Sequence, residues 1–240
     1  MLKKRLTVAL FCLLLVTVFI ETTYAGACYE VANVNSIKIP NFMEKIPEME
    51  KIFDDQIAEL RSRGFGTEFL NELMIMRMTV TVKAAKLNIK EGNIPFIPAI
   101  NVAYAFTGKC GDPTLKDDYK KIEIINKRQF LGLGELKDVD DRVCPYYIYD
   151  VSPGNDTLGL SPKEARAQLA SSGRRSLNII EGAFLFFLTN SISKNGMWFD
   201  GSRCGGKVPV VYVKDGKIYL DSEIPDNKYI DRGVTSCIVE

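Results

Sequence analysis

The chain contains no histidine. Histidine is the base of Ser-His-Asp and Cys-His nucleophile systems, the repeated ligand of HExxH zinc sites, and the side chain that titrates near neutral pH. None of those chemistries is open to this protein. It also lacks CxxC pairs, which removes thioredoxin-like redox chemistry and cysteine zinc knuckles. Neither GxxxxGK[ST] nor GxGxxG occurs, so no nucleotide loop is written into it. Nor is there a charge excess: 31 basic residues face 30 acidic ones, and no strong field steers nucleic acid. No internal repeat or low-complexity tract is present. What remains catalytically is carboxylate and arginine chemistry.

The 240 residues are 46% hydrophobic and 25% charged, the balance of a folded chain. Met1 to Arg5 is basic, Leu6 to Ile20 is apolar, and small residues follow around Ala25 and Ala27. The apolar run is shorter than the roughly 20 residues a spanning helix needs. Residues 1–27 are therefore expected to be a signal peptide, cut after Ala25 or Ala27, and the protein to be exported to a periplasm or the extracellular space. Cys28 directly follows, which opens the alternative of a lipidated cysteine and an envelope anchor. A membrane partner is expected only if the leader is retained or Cys28 is lipidated. No cofactor, metal or nucleic-acid partner is expected.

Five cysteines lie beyond the leader, Cys28, Cys110, Cys144, Cys204 and Cys237. An oxidising compartment would permit bridges. The preferred pairing is Cys110–Cys144 and Cys204–Cys237, leaving Cys28 over; buried thiols in apolar surroundings are the alternative.

Residues 28–47 read as an irregular lead-in punctuated by Pro40 and Pro47. Residues 48–240 read as one α+β domain, of which 48–90 could be a helical subdomain: N-terminal helices, then a mainly antiparallel sheet with two or three packed helices. Met49, Ile52, Phe53, Ile57 and Leu60 recur at helical spacing from Glu48 to Arg63, with Gly64 at C′. Thr67 opens a second helix. Met76 to Val82 alternates and is β-branched, which predicts a strand. Met74, Met76 and Met78 are expected in the core, with a soft metal or partner surface as the alternative. An apolar strand follows Pro98 from Ala99 to Phe106, with proline at its start. The acidic run Asp138, Asp140, Asp141 lacks the register of a calcium loop. Tyr146 to Val151 is a strand, and Ser161-Pro162-Lys163-Glu164 is a capping box with proline at the first helical position. Ser176 is placed as the cap of an almost wholly apolar helix through Leu188. Asp215-Gly216 between two extended runs makes a hairpin, and Val234 to Val239 a last strand.

Tyr146 to Ala165, taken with Gly173-Arg174-Arg175, Glu181-Gly182, Gly201-Ser202-Arg203, Val208-Pro209 and Ser236-Cys237, resembles a bacterial family of unknown function. Its ordered motifs are YxxxDV, SPxEA, GR, EG and GSR…VP, with an Ile/Leu-Pro-Phe-x-Pro segment upstream, as at Ile94 to Pro98. The resemblance spans Ile94 to Cys237 and implies a shared fold without a mechanism. The leader and the extra cysteines depart from that pattern and suggest an exported, disulfide-stabilised version.

The candidate catalytic residues are Glu181, Arg203 and Asp150, with Glu164 and Asp200 as further carboxylates. Glu181 stands out because it interrupts an apolar helix, where a carboxylate must be paired or neutral. Arg174, Arg175 and Arg203 are its expected partners. Gly201 to Gly206 offers backbone N–H groups and a guanidinium that could cradle an anion, or else a tight loop whose arginine pairs internally. Three functions follow: a non-catalytic binding or structural module, a histidine-independent hydrolase with a carboxylate/arginine site, and a lipid-anchored envelope protein through Cys28.

Overall fold

Apolar side chains at helical spacing build the N-terminal part of the computed structural model. It describes residues 41–101, 104, 107–111, 122–124, 136–138, 145–189, 195–215 and 217–239. The leader, residues 28–40, Cys28, Cys144, Asp140 and Asp141 lie outside them. Helix α1, Ile46–Ser62, carries Met49, Phe53, Gln56, Ile57 and Leu60 on its buried side. It starts earlier than expected, because Pro47 occupies the first turn, where a missing N–H costs nothing. Gly64 ends it with φ 84°, as a C′ glycine does. Helix α2 is Thr67–Ile75 and helix α3 is Arg77–Lys86.

Helix α3 replaces the strand expected over Met76 to Val82. Packing decides against β-propensity here: Val80, Thr81, Ala84 and Ala85 are buried, a helical rather than an alternating spacing. Of the three methionines, only Met76 packs against the core. Met74 and Met78 are 47% and 73% exposed, so the core expectation fails for both.

The strands are β1 Ile94–Ala99, β2 Ile122–Ile124, β3 Leu136–Asp138, β4 Tyr146–Val151, β5 Arg174–Ser176, β6 Gly196–Trp198, β7 Ser202–Cys204, β8 Val208–Lys214, β9 Lys217–Glu223, β10 Arg232–Val234 and β11 Ser236–Ile238. Helices α4, Pro162–Ser171, and α5, Ile179–Thr189, lie between β4 and β6. The pairs β1–β4, β5–β11, β3–β7, β6–β8 and β8–β9 are antiparallel; β6–β10 and β2–β9 are parallel. This is an α+β fold with mainly antiparallel sheets.

Strand β1 begins earlier than expected and contains Pro95 and Pro98 within it. It tolerates them because it pairs on one side only, with β4. Reciprocal backbone bonds between Ser152 and Ser236, at 2.8 and 3.1 Å, continue β4 onto β11. The hairpin β8–β9 turns at Asp215, whose φ of 51° is what such a turn requires. The expected last strand is divided into β10 and β11, which join different sheets.

The described part of the unit Pro40–Glu240 has two apolar clusters. The larger unites α1, α2, α3, β1, β4 and α5, with Phe53 stacked on Tyr147 at 5.6 Å and Phe65 against Phe184 at 5.5 Å. The smaller, under α4, holds Ala165, Leu169, Trp198, Val208, Val210 and Val234. Beside it Arg232 lies 3.8 Å from the Tyr229 ring centre and 4.1 Å from that of Tyr212, and pairs with Glu223 at 2.8 Å.

The disulfide expectation is overturned. Cys110, Cys204 and Cys237 are buried and unbridged, and no disulfide occurs among the described residues. Cys204 lies opposite Leu136 in the β3–β7 pair, whereas Cys237 lies opposite Arg175 in the β5–β11 pair, so the expected partners sit in different sheets. Peptide mapping under non-reducing conditions is expected to recover the Cys204 and Cys237 peptides separately. A second expectation follows from helix α5, where Gly182 lets the Phe199 ring approach so closely that an added Cβ would overlap it. Gly182→Ala should cost about 1–3 kcal/mol by overpacking. Urea denaturation checks this, and Phe199→Leu in the same chain should return part of the loss.

Candidate functional site

Helix α5 begins with a reciprocal pair of hydrogen bonds. The Asn178 side-chain carbonyl accepts from the Glu181 backbone N–H at 2.7 Å, and Glu181 Oε2 accepts from the Asn178 backbone N–H at 2.7 Å. This is a capping box with asparagine at the cap. Ser176, the expected cap, is instead the last residue of β5.

Glu181 is 0% exposed. Arg175 grips it with both terminal nitrogens, Nη1 to Oε2 at 2.9 Å and Nη2 to Oε1 at 2.6 Å, and the Tyr146 hydroxyl donates to Oε1 at 2.9 Å. Burial works against the charge on Arg175, but the hydrogen bonds and charge of Glu181 outweigh it and hold the guanidinium more firmly protonated than usual. Of the three arginines expected near Glu181, Arg175 is the partner.

Asp200, with 1% of its side chain exposed, is held by two arginines. Arg166 from α4 forks onto it, Nε to Oδ2 at 2.7 Å and Nη2 to Oδ1 at 2.9 Å. Arg203 reaches Oδ1 at 3.0 Å and donates to the backbone carbonyls of Asp200 and Ser202. Arg203 thus pairs internally. The backbone N–H groups of Gly201, Ser202 and Cys204 bind the carbonyls of Leu177, Phe199 and Lys207, so they form no anion cradle.

Asp150 has φ 49°, an uncommon backbone for a residue with a side chain. Arg174 ion-pairs with its carboxylate and also donates to its carbonyl, while Arg174 Nε donates to Ser236 Oγ at 3.0 Å. Burial pushes the Asp150 carboxyl up. The Asn93 amide, the Lys90 N–H and Arg174 more than offset this and hold it below the usual carboxylate range. Asp150 therefore ties β4 to β5 and β11. Glu164 is the capping-box partner of Ser161 and also meets Lys228 at 3.0 Å.

The structure thus brings Glu181 and Asp200 to one open cleft of about 220 Å³, with Arg166, Arg174, Arg175 and Ser176 in its walls. Asp150 and Arg203 stand behind it as partners of Arg174 and Asp200. Sequence reasoning missed Arg166 and Asn178. The Asn178-x-x-Glu181 spacing, three residues apart like Ser161 and Glu164, carried the signal for the second; Arg166 had none, since its partner is 34 positions away. Among the described residues, no group of three or more Cys, Asp or Glu could hold a metal ion, and no helix is long and apolar enough to cross a membrane. Comparison with family models, with curated proteins and with solved structures finds no match to this chain.

Removing one member of a buried ion pair strands the other charge, at about 3–5 kcal/mol. Glu181→Gln should lose that much stability in urea unfolding, and Tyr146→Phe about 1.5–3 kcal/mol, the value of a hydrogen bond to a charged group. The pH dependence has a defined sign. The Asp150 carboxyl, and the Glu223 carboxyl held down by Tyr229, Asn227 and Arg232 against its burial, are depressed in the fold. Their contribution is complete above the unfolded-state range near pH 4 and is lost as pH falls through the lower folded values. Urea midpoints should therefore be flat from neutrality to about pH 5 and fall below about pH 4, with a smaller fall in Asp150→Asn.

Proposed function

We propose that this protein is an exported, non-catalytic binding module that presents the arginine-walled cleft as its ligand site. The observation that carries this reading is the state of the carboxylates. General acid–base or nucleophilic work needs a carboxyl group that can reach substrate and exchange a proton or form a bond. Glu181 already accepts from Arg175, Tyr146 and Asn178 out of solvent, and Asp200 is clamped between Arg166 and Arg203. Histidine, the most frequent general base, is absent from the chain. A rigid wall of fixed guanidinium groups is suited to holding an anion, and the leader supports export.

Purified protein offered chromogenic ester, glycoside and phosphate substrates should give no turnover above buffer between pH 4 and 9. Turnover that disappears in Glu181→Gln or Asp200→Asn, each shown to be folded by circular dichroism, would establish the hydrolase reading instead.

A further inference from the structure

We infer that the cleft takes a small organic carboxylate bearing a short apolar tail, with Arg166 as its anchor. This rests on the proposed binding role of the same cleft.

Two observations converge. The first is charge. Arg174 and Arg175 are neutralised by Asp150 and Glu181, each a single pair. Asp200 alone is shared by two arginines, Arg166 and Arg203. That trio keeps a net positive charge, which a monovalent anion would neutralise. The second is exposure and geometry. Asp200 is buried, yet 51% of the Arg166 side chain is exposed. Its Nε and Nη2 are fixed on Asp200, and Nη1 makes no hydrogen bond to a described residue. The buried aspartate therefore holds the guanidinium in place, and a nitrogen remains for a ligand oxygen. Such preorganisation lowers the ordering cost of binding.

The cleft's size and lining set the rest of the ligand. The cleft, of about 220 Å³, has room for a small acid. Leu169 and Ala170, on the same helix as Arg166, give an apolar wall beside the guanidinium for a short tail. Asp200 is thus a positioning residue, and Arg166 is the contact.

Isothermal titration with hexanoate, hexanamide and inorganic phosphate as probes tests the assignment. Hexanoate should bind saturably at one site, and the uncharged amide and the tailless phosphate should bind at least about tenfold more weakly. Arg166→Ala should weaken hexanoate at least about tenfold. Arg77→Ala, in a surface pair with Glu50 and Asp54, should change nothing. Arg166→Lys keeps charge and fold but loses the fork onto Asp200, and should recover only part of the affinity. Absence of saturable hexanoate binding, or binding unaltered in a folded Arg166→Ala, would overturn the ligand class while leaving the non-catalytic reading untouched. Phosphate binding as tightly as hexanoate would overturn the tail assignment. Turnover of a substrate would instead refute the binding role itself.

Discussion

A carboxylate with no access to water sits at the start of helix α5, and the surrounding structure is arranged around that fact. Removing an ion from water costs several kcal/mol unless counter-charge and hydrogen bonds replace its hydration. Glu181 receives all of these: two guanidinium nitrogens from Arg175 in β5, a hydroxyl from Tyr146 in β4, and the N–H of Asn178. Meeting this requirement fixes β5 against the helix and β4 against both. It also explains why a glutamate appears in a helix whose other residues are Ile, Gly, Ala, Phe, Leu and one Thr: the residue closes the helix N-terminus, which the apolar remainder cannot do.

The same logic extends outward in a graded series. Asp150 with Arg174 joins β4 to β5 and β11 at a position where the backbone turns to positive φ. The Asp150 carbonyl accepts from Arg174 and from Asn93. Asp200 with Arg166 and Arg203 links α4 to the start of β7. On the far side, Arg232 is held by Glu223 and by Tyr212 and Tyr229, linking β10 to β8 and β9. These arginine–acid clamps anchor β5, β7, β10 and β11, strands of only three residues each. No disulfide among the described residues supplements them.

How much of this was legible in the sequence depended on the range of the cause. The capping box at Ser161, the C′ glycine at Gly64 and the turn at Asp215 are local, and each appears where the residues point. Glu181 was marked by its incongruity within an apolar helix, and an arginine partner followed from electrostatics. What failed involved long-range packing. Met76 to Val82 has strand-like residues, yet helix α3 forms because Val80, Ala84 and Ala85 meet the core. Cysteine spacing likewise carried no information about which sheet Cys204 and Cys237 would join. The capping role of Asn178 was available at the same three-residue spacing as Ser161 and Glu164. It was hidden because Ser176 offered a plausible cap two residues earlier.

The absence of histidine and the engagement of the acids bear on function together. A chain lacking the usual neutral-pH base can still be a catalyst if a carboxyl group is poised, and poise requires incomplete satisfaction. Glu181 is completely satisfied, and Asp200 more than satisfied, since two cations share it. The imbalance therefore lies with the cations: the exposed member of the set is Arg166, whose fork is fixed and whose third nitrogen faces no acid. Charge satisfied at the buried acid and left over at the exposed guanidinium favours an anion, whereas carboxylate catalysis would need the reverse, with its unsatisfied group a carboxylate. That asymmetry, set by which partner of the Arg166–Asp200 pair is buried, is the physical basis of the proposal that the cleft binds an anion.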